Sequence, residues 1–369
     1  LEFRRVLFRS RVAPAVEQFF RAQAGIRGYS KSVIDQIWEI LASFSSFGFC
    51  KAHGAAFALP TYQSAWLKTH YPAEFMAGLF THDPGMYPRR LLVAEARRLG
   101  VNLLPIDVNV STREYLVENT RDGMAVRMAL TDVQGMTEAE VTRTIENAPY
   151  QDVADYYLRA RPSRKTLERL ATVGALDSLV SGTEYHRGDI LARVKQLNSI
   201  TKRPEHDDNY LDFEMLERLP KGAPEPTKAE QVEAELSILK MDVTEHALER
   251  YRPMLEEMGV VRSDELVGLR NKSEVLIAGV RVATQTPPMR SGKRVVFISL
   301  DDGYGCADAT FFDEAQSRCS HILFNTKLVV IAGKTRRTGA KGVSLMAENA
   351  WDLRELWNQW VAKQPRLSA

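Results

Sequence analysis

The chain has 369 residues, with 49 Lys and Arg against 47 Asp and Glu, a formal charge of +2, 44% hydrophobic residues and 26% charged ones. That length suits two to four domains, the composition excludes wholesale disorder, and the balanced charge announces no polyanionic partner. No apolar run approaches the ~20 residues that a membrane-spanning helix needs, and the three cysteines (Cys50, Cys306, Cys319), without a CxxC pair or a secretory leader, point to a reducing cytoplasm.

The first ten residues, LEFRRVLFRS, carry neither a helix cap nor a clean period. They read as non-native read-through ahead of a piece of a larger gene product. Residues 11–100 read as helical. Val33, Ile34, Ile37, Trp38, Ile40 and Leu41 recur at helical spacing and form one apolar stripe, with Ser30 or Ser32 as the N-cap. Residues 47–60, FGFCKAHGAAFALP, follow. Small side chains there permit close approach of a backbone or ligand, and Pro60 is expected near a helix start. Further helices run through Tyr62 to Lys68, from Ala73 onward, and from Arg89 to Gly100. Residues 11–110 hold ten Lys/Arg against seven Asp/Glu.

Residues 102–110 read as extended, because the Leu104-Pro105 step disfavours helix. From 127 to 179 short helices alternate with glycine bends. Two of these, DVQGMT at 132–137 and ATVGAL at 171–176, lie about forty residues apart and predict a tandem helix–hairpin–helix within 111–200. Residues 200–245 hold six Lys/Arg against twelve Asp/Glu and include LPKGAPEP at 219–226. We read 201–270 as a solvated acidic linker and helical bridge. Residues 271–350 predict five strands, with a helix between the third and fourth, which is the order of an OB-fold barrel. The tail is 351–369. The expected fold class is multidomain α+β.

Three groups carry candidate chemistry. At the hairpins, Gly135 and Gly174 allow main-chain N–H groups to face a DNA phosphate, with Arg164 and Lys165 adding charge. On the barrel, Lys293 and Arg294 flank one strand, and Lys334, Arg336, Arg337 and Lys341 populate the joining loop of the last two strands. Phe297, Tyr304, Phe311 and Phe312 are candidates for stacking bases, at least half of them expected in the core. In 47–60, Lys51 and His53 suit a nucleotide phosphate. The Asp207-Asp208 and Asp301-Asp302 pairs read as solvated or turn-forming. No zinc spacing and no GxxxxGK[ST], GxGxxG or GxSxG motif is present, so no metal or catalytic residue is assigned.

Taken together, FGFCKAHGAAFAL at 47–59, YQSAWLK at 62–68, YPAEFM at 71–76, LPIDVN at 104–109, LATVGAL at 170–176 and TQTPPMRSGKRVVF at 284–297 resemble the bacterial C-family DNA polymerases, the polymerase III alpha subunit group, in their error-prone, damage-tolerant branch. The resemblance runs from residue 11 to 355. It implies polymerase fingers over 11–110, the helix–hairpin–helix pair, and a C-terminal OB-fold. It also implies DNA-directed DNA synthesis in translesion replication and repair, from deoxynucleoside triphosphates with Mg2+. By the same resemblance Lys51 and His53 approach the incoming nucleotide, while the metal-binding palm and an N-terminal domain precede the fingers and lie outside this chain, which alone is expected to be inactive. Accessory mutasome proteins and a sliding clamp are implied as partners, although no clamp-binding peptide stands out. Gly54 stands where many relatives have alanine and Cys50 where replicative members often have asparagine, which fits the error-prone branch and leaves nucleotide selectivity open. The competing readings are a stand-alone nucleic-acid-binding module without catalysis and a replicative alpha subunit.

Overall fold

The computed structural model describes residues 13–46, 51–83, 85, 87–199, 216–287, 294–339 and 342–363. The chain divides into two compact units, residues 1–71 and 72–369, so the contact boundary falls inside the stretch expected to form the fingers.

The first unit is helical: α1 (Ala13–Ile26), α2 (Lys31–Ser46) and α3 (Lys51–His70). Phe20 meets Trp38 with ring centroids 5.6 Å apart, and Arg21 pairs with Glu17 and Asp35 across α1 and α2. Only part of the expected stripe is covered, since Ile34 is buried but Val33, Ile37, Ile40 and Leu41 are exposed. Pro60 lies inside α3 instead of opening a helix. Proline removes one helical N–H there, and the Thr61 hydroxyl donates to the Phe57 carbonyl at 2.7 Å on the same turn.

The second unit opens with α4 (Pro72–His82), proline at its first position, and α5 (Arg89–Arg98). The strands β1 (Asn102–Leu104), β2 (Leu116–Thr120) and β3 (Gly123–Arg127) form a sheet in the order β1-β3-β2. The β2–β3 hairpin turns at Arg121-Asp122, ahead of Gly123. A 3-10 turn (Leu130–Asp132), α6 (Glu138–Glu146), α7 (Val153–Ala160), α8 (Arg164–Thr172), a second 3-10 turn (Asp177–Val180) and α9 (Arg187–Ser199) follow. One continuous core joins α4, α5, the sheet and these helices through Phe80, Met128, Leu130, Tyr156, Leu167, Leu170 and Ile190.

The acidic stretch is not the solvated linker its charge suggested. Residues 201–215, with Asp207 and Asp208, lie outside the described residues. From 216 onward the chain is packed: Leu216, Leu219, Leu239 and Met241 join the first core, and Glu235 and Asp242 are themselves buried. These carboxylates are retained because each is fully engaged. Glu235, on α10 (Lys228–Ile238), accepts from the backbone N–H of Val243 and Thr244 at 2.7 and 2.9 Å, and Asp242 accepts from Arg90 and the Ala247 N–H.

The chain then passes through α11 (Arg252–Glu257) into a closed barrel of β4 (Glu274–Gln285), β5 (Val296–Asp301), β6 (Cys306–Phe311), β7 (Leu328–Arg337) and β8 (Val343–Asp352), in the order β4-β5-β6-β8-β7. Helix α12 (Asp313–Asn325) lies between β6 and β7, and α13 (Leu353–Lys363) follows β8. Closure rests on a short parallel pairing of β6 with β8, Ala309 opposite Leu345. Alternation along β5 sends Val296, Ile298 and Leu300 inward and leaves Phe297 exposed. Phe311 is fully buried against Ile298, Val329 and Ile331 in the barrel core, which contributes about 2–3 kcal/mol for a ring of that size.

Candidate nucleic-acid interface

Both hairpin glycines adopt left-handed backbone, φ +79° at Gly135 and +80° at Gly174, where a β-carbon would be strained. Each sits between two helical segments: Gly135 between the first 3-10 turn and α6, and Gly174 between α8 and the second 3-10 turn. Gly174 is buried and closes α8. Its N–H donates to the Ala171 carbonyl at 3.2 Å and the Ala175 N–H to the Leu170 carbonyl at 2.9 Å, so these two amides are spent on the helix end instead of facing outward as expected. Guanidinium groups occupy the space a side chain at either glycine would take. Arg169, reaching back from α8, covers Gly135 and donates to the Gln134 carbonyl. Arg187 covers Gly174 and donates through Nε to the Asp177 carboxylate at 2.9 Å. The sequence reading missed both arginines, whose only signal was a cation within reach of each glycine bend.

The two hairpin units are locked by one carboxylate. Thr137 caps α6 in a reciprocal box with Glu140, whose Oε2 accepts from the Thr137 N–H and hydroxyl at 2.8 Å each; Oε1 accepts from the Ser163 N–H at 2.8 Å, and Ser163 caps α8. Burial pushes the Glu140 carboxyl upward, but the N–H groups of Ser163 and Thr137 and the Thr137 and Thr166 hydroxyls outweigh it and bring it down to about 2. Of the cations proposed beside the hairpins, Lys165 is exposed, whereas Arg164 is half-buried and donates to the Leu197 carbonyl at 2.8 Å.

On the barrel, Lys334, Arg336 and Arg337 belong to β7, not to the loop after it. Alternation therefore puts Lys334 and Arg336 on one face and Arg337 on the other. Arg336 is exposed, Lys334 lies 3.1 Å from Glu348 and 3.5 Å from Glu274, and Arg337 donates to the Val267 and Leu269 carbonyls at 2.7 Å each. The bond to Glu348 raises the Lys334 pKa above its ordinary value. Arg294 is exposed, and Lys293 and Lys341 lie outside the described residues. Among the aromatics, Phe311 is core, Phe297, Phe312 and Tyr304 are exposed, and the Tyr304 ring already has Arg262 at 3.6 Å and Arg252 at 5.0 Å from its centroid. In the first unit, Lys51 opens α3, its side chain outside what is described, and the exposed His53 ring meets Phe57 edge-on at 4.6 Å.

Asp301 and Asp302 form the expected turn but are buried, not solvated. Asp302 accepts from the Ser263, Tyr304 and Gly305 N–H groups. Asp301 joins a network that sequence reasoning did not foresee: Arg90 lies 3.0 Å from Asp242, 3.3 Å from His246 and 3.8 Å from Asp301, and His246 lies 3.3 Å from Asp301. Burial acts to raise the Asp301 pKa, but the His246 hydrogen bond and charge outweigh it and hold the carboxyl below its ordinary value. No group of three or more His, Cys, Asp or Glu able to hold a metal ion occurs among the described residues, so no chemical step is assigned to a metal here. No helix among them is long and apolar enough to cross a membrane.

Comparison with known proteins fits this arrangement. Residues 100–187 match a helix-hairpin-helix motif family, and residues 275–353 match an OB-fold nucleic acid binding domain family. The chain is 31% identical over 366 residues to the error-prone DNA polymerase of Symbiobacterium thermophilum, covering 88% of this chain and 34% of the relative. It is 28% identical to the error-prone DNA polymerase of Bdellovibrio bacteriovorus (92% of this chain, 33% of the relative) and 25% identical to the DNA polymerase III subunit alpha of Vibrio cholerae (90% and 30%). The chain thus spans about a third of the length of the curated relatives it matches. Over that third, it is similar to bacterial error-prone DNA polymerases and, at lower identity, to a DNA polymerase III alpha subunit.

Proposed function

We propose that this chain is the DNA-handling part of an error-prone DNA-directed DNA polymerase. The carrying observation is that similarity to such polymerases extends over 88% of the chain, through both the hairpin region and the barrel. In this reading, α6 and α8 with Arg169, Arg187 and Lys165 grasp the primer–template duplex by its phosphates, without base readout. Phe297, Arg294 and Arg336 receive a single strand. Residues 51–70, with Lys51 and His53, belong to the fingers that meet the deoxynucleoside triphosphate. Mg2+ would be held by carboxylates outside this chain. Translesion synthesis and repair in the cytoplasm, with accessory mutasome proteins and a sliding clamp, complete the proposal. Identity of 31% to an error-prone enzyme against 25% to a polymerase III alpha subunit favours the error-prone role over the replicative one.

The test is fluorescence anisotropy of labelled single-stranded and primer–template DNA across a salt series. Binding should weaken linearly in log–log form, with a slope of about −0.7 per contacted phosphate on single strands. A chain that binds neither DNA at about 50 mM salt overturns the proposal.

A further inference from the structure

A cleft of about 730 Å³ lies between the C-terminal end of α10, the second half of β4 and the α12–β7 junction. No carboxylate lines it. Its cations are Arg90, Lys240, Arg281, Lys327 and Arg354. Arg90 is matched by Asp242, and Arg281 donates to the Leu323 and Phe324 carbonyls at 2.5 and 2.9 Å, fixing the end of α12. Lys327 and Arg354 are exposed and make no ion pair among the described residues. Phe324, 55% exposed, lines the same cleft. A second cleft of about 300 Å³ shares Leu328 and Arg354 with the first and continues to Trp357.

We propose that this flank cleft holds a single strand of nucleic acid, its phosphates on Lys327, Arg354 and Lys240 and a base against Phe324. This inference rests on the proposed DNA-handling role and adds a second track to it. Leu328 and Arg337 end the ten-residue β7, so the cleft lies about 30 Å along the strand from the Arg336 end. Unmatched cations at the rim neutralise a phosphate chain, and an exposed ring beside them offers the planar face that a base needs. An acidic polypeptide would use the cations but not the ring.

The experiment measures anisotropy of a fluorescein-labelled oligothymidylate on the full chain and on three variants: Lys327→Glu with Arg354→Glu, Phe324→Ala, and Arg336→Glu at the other end of β7. The first two should each weaken binding by about fivefold or more, and the charge-reversal pair should flatten the salt slope by about 1.4. Circular dichroism checks that each variant folds. If the charge-reversal pair does not fold, Lys327→Gln with Arg354→Gln replaces it, and photo-crosslinking of the labelled strand from benzoylphenylalanine at position 324 gives a second readout. Unchanged affinity in the folded cleft variants, or no crosslink, while Arg336→Glu still weakens binding, overturns the cleft and leaves the broader DNA-handling role standing. Absence of binding by the unaltered chain overturns both. Displacement of the strand by polyglutamate with Phe324→Ala silent overturns the nucleic-acid assignment in favour of an acidic polypeptide.

Discussion

The carboxylate of Glu140 accepts the N–H of Ser163 at 2.8 Å, so a single side chain on α6 closes the N-terminus of α8, the opening helix of the next hairpin. Four donors, the Ser163 and Thr137 N–H groups and the Thr137 and Thr166 hydroxyls, outweigh burial and bring its carboxyl down to about 2. A depressed carboxyl contributes stability that is complete above its unfolded value near 4.3 and is lost as pH falls toward 2. Glu140→Ala should therefore cost about 2 kcal/mol at neutral pH, since it removes a cap and strands buried donors. It should also remove most of the acid-dependent part of the melting curve between about pH 4.3 and 2. Thermal melts of both proteins across that range check it, and parallel pH profiles would sink the assignment.

Gly174 cannot accept a side chain without two penalties. Its φ of +80° is unfavourable for any residue with a β-carbon, and the Arg187 guanidinium fills the space above it. Gly174→Ala should lower stability by about 1–2 kcal/mol through the backbone alone. It should also push Arg187 off Asp177, so duplex affinity falls together with stability. Pairing it with Arg187→Ala separates the effects: the double variant should recover some stability but no affinity. If Arg187→Ala leaves duplex binding intact, the guanidinium over this hairpin has no role in DNA contact.

Arg90 is the hub of a buried network joining α5, the connector and β5. Removing one partner of a buried pair leaves charge without compensation, so Arg90→Ala should cost about 3–5 kcal/mol. The loss should show as early hydrogen exchange at the connector and at the Asp301 end of β5, where the network is anchored. Because the Asp301 carboxyl is held below its ordinary value, this contribution is present above about pH 4 and declines as pH falls further. A melt of Arg90→Ala that matches the unaltered chain at neutral pH would show that the network carries no net stability.

What the sequence disclosed follows from the range of the forces involved. The barrel was legible because inward and outward residues alternate along β5 and a helix separates the third strand from the fourth. The hairpins were legible because left-handed backbone at residues 135 and 174 selects glycine. The acidic connector was misread because charge counts do not reveal pairing. Asp242 is buried by Arg90, 152 residues away, and no local pattern announces such a contact. Lys334, Arg336 and Arg337 read alike as a basic run, but alternation within β7 turns Arg337 away from the other two, and only Lys334 of that pair lies beside carboxylates, Glu274 and Glu348. Asp122-Gly123 is a local turn signal for the β2–β3 hairpin, whereas Pro60, a residue that favours helix starts, sits inside α3.

These different surroundings make the barrel rim testable residue by residue. Arg336 is exposed, so Arg336→Glu should leave the melting temperature within a degree or two, as exposed substitutions do. It should also weaken single-strand binding and reduce the magnitude of the salt slope by about 0.7, the share of one phosphate. Arg337→Glu should behave differently. Its guanidinium holds two carbonyls at 2.7 Å, so the variant should destabilise the barrel by about 1–3 kcal/mol as well as alter binding. Lys334→Glu places a third carboxylate beside Glu274 and Glu348, and its effect on affinity should shrink most as salt rises. Anisotropy titrations at several salt concentrations, with a melt of each variant, check all three. Equal losses of affinity without loss of stability would mean that the three side chains act as one charged loop after all.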